Sequence, residues 1–152
     1  MPKQLIWIKL KVGESAPSAR LGHTLVDMGN SVYILYGGID ANSKMEGKII
    51  PNNQVYKLTI KGKGECVWTL VDCEGEEIPQ ARTNHSATKL SGNEMFVFGG
   101  YFSSKQRFND VHILKVGQGK TISLLFLGSG PFWEATLPFG RISRADFLQF
   151  HF

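Results

Sequence analysis

An arginine and a histidine recur at one fixed spacing in this chain. Arg20 stands three residues before His23, and Arg82 three before His85, with 62 residues between the copies. A guanidinium beside an imidazole could clamp an anion or relay a proton, and with a carboxylate the imidazole could ligate a metal. Each role has a structural competitor. An arginine fork can bridge several backbone carbonyls near the ends of short strands, or it can reach an acidic ligand side chain from a loop mouth. Histidines at equivalent places in a repeat sit in separate units, so they are expected to do equal local jobs and not to share one metal. Asp110 reads as the cap of a turn entering its strand. No Gly-x-Ser-x-Gly elbow, no His-Glu-x-x-His and no carboxylate pair tied to a histidine is found. No catalytic residue, metal ligand or cofactor is therefore assigned. Gly37-Gly38 and Gly99-Gly100 do not open a helix with a lysine behind it, which argues against a phosphate cradle.

The bulk composition narrows the class. The 152 residues are 42% apolar and 20% charged, an ordinary globular balance. Ten Phe and seventeen Gly lean toward strands joined by tight turns. The net charge of +4 is scattered along the chain, so it reads as a solvated mixed surface and not as a nucleic-acid footprint. Cys66 and Cys73 lie seven residues apart, which places them on opposite faces of a strand and argues against a disulfide between them. Lys9 and Lys11 interrupt the apolar letters of the N-terminus, and ISLLFL at 122–127 is too short to cross a bilayer. No membrane partner is expected. The expected compartment is the cytoplasm, with the nucleus compatible.

The segments around the Arg-His pairs repeat as well. WIKLKVGESAPSARLGHTLV (7–26) aligns with WTLVDCEGEEIPQARTNHSAT (68–88), Trp on Trp and Pro-x-Ala-Arg on Pro-x-Ala-Arg. Arg20 to Gly37 and Arg82 to Gly99 are both steps of seventeen. NQVYKL at 53–58 then matches NDVHIL at 109–114. Alternating apolar runs bounded by Gly and Asn are strand signals, and no window carries a capped helical period. Each unit is predicted to hold four strands, near 21–27, 31–37, 53–60 and 66–71, then near 83–90, 94–99, 108–114 and 121–127. The glycine pairs are expected where backbones approach closely at positive φ. Trp7 and Trp68 are expected to pack between neighbouring sheets.

These residues resemble the kelch repeat. Arg-x-x-His, the apolar run into Gly-Gly, the Asn-Asp-Val stretch and the spaced Trp match that family over about residues 5–114. The resemblance implies an all-β fold of four-stranded antiparallel propeller blades. A leading strand at 4–11 would close a preceding blade, with blade one at about 20–71 and blade two at about 82–127. The tail 115–152 reads as the degenerate start of a third blade: Pro138 and Arg141 keep the spacing, Arg144 takes the histidine slot, and no third Gly-Gly follows. Two blades cannot close a ring, so an open, incomplete propeller is expected. That points to a fragment or truncated product, with self-association through open blade edges.

Kelch domains commonly serve as protein interaction modules, and the resemblance implies a scaffold or adaptor that binds another protein. A kelch-fold enzyme with its site at the channel mouth, or a truncated product without independent function, are the alternatives. In an up-and-down blade, loops 39–52, 72–80 and 101–107 emerge at one end. Variable loops on a rigid scaffold are where binding resides. The candidate partner-binding residues there are Met45, Lys48, Ile49, Ile50, Tyr101, Phe102, Lys105 and Arg107. Acids Asp72, Glu74, Glu76 and Glu77 flank them.

Overall fold

The computed structural model describes residues 6–75, 78–90 and 92–117, together with the strand backbones at 121–128, 134–137 and 140–143. Its strands are β1 (Lys11–Val12), β2 (Arg20–Leu21), β3 (Thr24–Gly29), β4 (Val32–Tyr36), β5 (Ile39–Met45), β6 (Lys48–Pro51), β7 (Val55–Lys61) and β8 (Glu65–Gly75). They continue as β9 (Ser86–Lys89), β10 (Glu94–Phe98), β11 (Tyr101–Ser103), β12 (Gln106–Arg107), β13 (Val111–Val116), β14 (Thr121–Gly128), β15 (Glu134–Leu137) and β16 (Gly140–Ser143). No α-helix occurs among the described residues, and a single 3-10 turn spans Gly62–Gly64.

Strands β3, β4, β7 and β8 form one antiparallel blade. Strands β9, β10, β13 and β14 form the second. The eight strands lie where the apolar alternation predicts, displaced at their ends by at most four residues. The blades are also joined. β14 runs parallel to β8, with Thr121 opposite Asp72 and Leu124 opposite Gly75, so eight blade strands form one curled sheet. The innermost strands β3 and β9 come side by side at its two ends. The fold is all-β, an arc of two four-stranded blades that does not close a ring among the described residues.

The alternation of side chains across each blade decides what is buried. Val26, Met28, Ile34, Tyr36, Val55 and Val71 on blade one meet Met95, Val97 and Leu114 on blade two in a shared core. Ile34 and Met95 are fully buried there. The repeat equivalents of Met95, Val97 and Leu114 are Tyr33, Leu35 and Leu58, which the register turns to the opposite face of blade one. The two units are thus related by a rotation that sets one face of a blade against the other face of the next. The far face of blade two carries a second cluster, Phe96, Val111 and Ile113.

The period is visible in the bonds that cross the junction. Thr24 Oγ1 bonds His85 Nε2 at 2.8 Å, Asn84 N–H donates to the Gly22 carbonyl at 2.8 Å, and Lys89 Nζ donates to the Met28 carbonyl at 2.6 Å. Each links residues 61 or 62 positions apart, one repeat length.

The leading strand is reduced to Lys11–Val12, paired parallel with Glu65–Cys66; residues 4 and 5 lie outside the described residues. Trp7 does not pack between sheets, because it is fully exposed. Its repeat partner Trp68 is half-buried and meets the Tyr56 ring edge-on at 6.4 Å, since Trp68 has sheet neighbours on its own blade and Trp7 has none among the described residues.

Because the core is shared, neither blade can lose its buried face alone. Ile34→Ala should cost about 2–5 kcal/mol of unfolding free energy. Chemical denaturation followed at Trp68 on blade one and by amide exchange on β10 of blade two should shift together. Separate transitions would contradict a common core.

Candidate functional site

The loops between second and third strands gather at one end of the blades, and two arginines anchor their roots. Arg82 is fully buried. Its Nε donates to the Gln80 carbonyl at 3.1 Å and Nη1 to the Gly99 carbonyl at 2.9 Å. Nη1 and Nη2 grip the two Asp110 carboxylate oxygens at 2.6 and 2.8 Å, a bidentate ion pair. The guanidinium lies 4.3 Å from the centre of the Phe108 ring. Asp110 does not cap a turn as expected; its carboxylate is the counter-ion of Arg82 and also meets His112 Nε2 at 3.0 Å. Burial on its own would raise the Asp110 carboxyl, but the bonds from Arg82 and His112 outweigh it and hold the carboxyl far below the usual range.

Arg20 holds the same place in blade one with different partners. It donates to the carbonyls of Ser18 and Gly37, both at 3.2 Å, which match the Gln80 and Gly99 bonds of Arg82. Gln54 occupies the slot that Asp110 fills in blade two, and its amide oxygen accepts at 3.1 Å. The missing charge comes from Asp40, at 3.3 Å, on the inserted hairpin β5–β6. Asp40 also accepts the N–H groups of Asn42 and Ser43 and the Asn52 amide. Its carboxyl is lowered: burial opposes ionisation, and the bonds from Ser18, Asn42 and Ser43 with the charge of Arg20 prevail.

The histidines are not doing equal jobs. His85 is buried at the blade junction, bonded to Thr24, with its ring edge-on to Tyr36 at 4.9 Å. Its Nδ1 has no hydrogen-bond partner. Desolvation first, then the charges of Arg82 and His23, pull its pKa down to about 4. His23 is exposed, because no described blade lies against its side of β3. The glycine pairs answer a backbone need. A Cβ at Gly100 (φ +86°) would fall 2.8 Å from the His85 Cβ, and one at Gly38 (φ +90°) would fall 2.9 Å from the His23 Cβ.

The candidate partner-binding residues lie on hairpins, not on open loops. β5–β6 carries Met45 and Ile49, 53% and 56% exposed, with Lys48 exposed and Ile50 half-buried. β11–β12 carries half-buried Tyr101 and Phe102 with exposed Lys105 and Arg107, and the Arg107 guanidinium sits 6.0 Å over the Tyr101 ring. β11 lies beside β6. Thr83 and Tyr101 exchange two backbone bonds of 3.0 Å, Arg82 N–H donates to the Asn52 carbonyl, and the Gln106 amide donates to Gln80 at 2.7 Å. The blade linker is therefore stitched between both hairpins. Of the flanking acids, Asp72 and Glu74 sit on β8, while Glu76 and Glu77 lie outside the described residues, as does Arg144. No cluster of three metal-ligating side chains occurs among the described residues.

Removing the Asp110 charge should be costly. Asp110→Asn leaves Arg82 buried without its counter-ion and should destabilise by about 3–5 kcal/mol in equilibrium unfolding. His85 generates a pH dependence. Its folded pKa lies below the ordinary 6.5, so the unfolded chain binds the extra proton. Stability is fully present above pH 6.5 and falls as pH drops toward 4; His85→Gln should flatten unfolding free energy across that window.

The KLHDC2/KLHL20/DRC7 Kelch-repeats domain description matches residues 22–137. The chain is 29% identical over 144 residues to Kelch domain-containing protein 3 of Homo sapiens, covering 93% of this chain and 34% of that protein. It is 28% identical to the Dynein alpha chain, flagellar outer arm, of Chlamydomonas reinhardtii, over 86% of this chain and 3% of that one. It is 33% identical to the tRNA wybutosine-synthesizing protein 2/3/4 of Arabidopsis thaliana, over 70% of this chain and 9% of that one. The chain thus spans from 3% to 34% of the length of these relatives. A RAG chain, solved in complex with one melted and one unmelted RSS, shares the fold at TM-score 0.58 and 17% identity, over 90% of this chain and 49% of that one. The rotation between blades, the paired arginine anchors and the glycine pairs agree with these matches: the chain belongs to the kelch-repeat family.

Proposed function

We propose that the hairpin end of the two blades binds another protein, and that the chain acts as a scaffold or adaptor module. The observation that carries this reading is the inserted hairpin. Its tip presents Met45 and Ile49, each more than half exposed, while its root is clamped by Arg20 and Asp40, whose side chains are 2% and 3% exposed. Apolar side chains held out on a rigid base, rimmed by Lys48, Lys105 and Arg107 and backed by Tyr101, have the make-up of a recognition patch. The charged groups that could do chemistry have structural partners instead. Arg82 and Asp110 bind each other, Arg20 binds carbonyls and Asp40, and His85 binds Thr24. That favours binding over catalysis.

Self-association has its own candidate surface, the face of blade one turned away from blade two, where Leu25 and Leu70 are 48% and 52% exposed. The two surfaces can be told apart. A photo-crosslinking residue at Met45 or Ile49 in cells should capture a protein, and Ile49→Asp with Arg107→Glu should abolish that capture while leaving the unfolding midpoint unchanged. Capture that survives both substitutions, or that appears only with the probe at Leu25 or Leu70, would overturn the hairpin assignment.

A further inference from the structure

At the end of the blades opposite the hairpins, a cleft of about 220 Å³ opens between the turn joining β3 to β4 and the turn joining β9 to β10. Met28, Val32 and Val116 form its apolar wall, and Asn30 and Asn93 line it with amides. Lys57 enters from β7. The register puts Lys57 in the same row as Val26 and Ile34, on the face that packs against blade two. Its repeat equivalent, Ile113, is fully buried, so an apolar residue suits this slot in the fold. Lys57 is half-buried, and its ammonium has no carboxylate and no hydrogen-bond acceptor among the described residues. Outside the lining, Lys89 donates to the Met28 carbonyl at 2.6 Å, and a Cβ at Gly29 would stand 3.2 Å from its ammonium. No acid lines the cleft among the described residues. The nearby Asp27 accepts the Gly29 N–H at 2.7 Å and is registered with Tyr33 on the opposite face of the blade.

A half-buried cation with no acceptor among the described residues, set above an apolar wall, lacks a counter-ion that carries its own apolar body. We infer that this cleft binds a small monocarboxylate of about four to six carbons, its carboxylate on Lys57 and its chain against Met28, Val32 and Val116. The volume lies below the roughly 300–1,000 Å³ of sites for drug-sized ligands, which limits the occupant to that scale. The site is independent of the hairpin surface, at the other end of the blades.

The test uses hexanoate on the 152-residue chain, read by methyl NMR at Met28, Val32 and Val116. Saturable shifts at these methyls are expected, with Kd on the order of 1 mM. Hexanamide, which matches the shape without the charge, should bind at least about tenfold more weakly, and acetate, which lacks the chain, should do the same. Lys57→Ile installs the residue type that blade two carries in this slot; it should preserve the fold and weaken hexanoate about tenfold or more, whereas Lys57→Arg should retain binding. Equal affinity for hexanoate and hexanamide, unchanged hexanoate affinity in Lys57→Ile, or shifts that never saturate would each overturn the assignment.

Discussion

A guanidinium without solvent is an expensive object, and the geometry around Arg82 follows from that. Its N–H groups must all find acceptors, so the Gln80 and Gly99 carbonyls and both Asp110 oxygens are drawn to one point. Those acceptors belong to the blade linker, the end of β10 and the start of β13. Holding them together sets the entry of the chain into blade two and the root of the β11–β12 hairpin. His85, three residues on, is thereby delivered to the junction, where Thr24 receives it. One buried ion pair thus links the internal order of a blade to the contact between blades.

The differences between the two copies are as informative as the agreement. Blade one lacks the aspartate that neutralises Arg82, and it recruits Asp40 from an insert that blade two does not have. The insert is therefore tied into the polar core at its base and free to project Met45 and Ile49 at its tip. Lys57 in the slot of Ile113 is a second departure, and it coincides with the cleft. His23 against His85 is a third, and its cause is position: one histidine meets a neighbouring blade and the other does not. Repetition supplies the frame, and chemistry collects where repetition lapses.

The arrangement also separates two ends by function of shape. Tight turns close one end, with Gly29, Asn30 and Ser31 all at positive φ. Long hairpins crowd the other, where the Thr83–Tyr101 and Arg82–Asn52 backbone bonds stitch them to the linker. Both ends border the same junction, whose core the two blades share.

Strand order and the anchoring arginines were legible in the letters, because a period-two apolar pattern and a fixed step of seventeen residues are local properties of the chain. The same letters hinted that Gly-Gly required positive φ, which is a backbone matter. Partner choice was not legible. That Asp110 answers Arg82, that Asp40 replaces it for Arg20, and that Lys57 faces a cleft depend on side chains 20 to 59 positions apart, brought together by strand pairing within a blade and by packing between blades. The exposure of Trp7 and His23 likewise turned on which neighbours exist in space. Periodicity along a chain encodes which face a residue takes; burial and pairing are properties of what that face meets, and those arise once the sheets have packed.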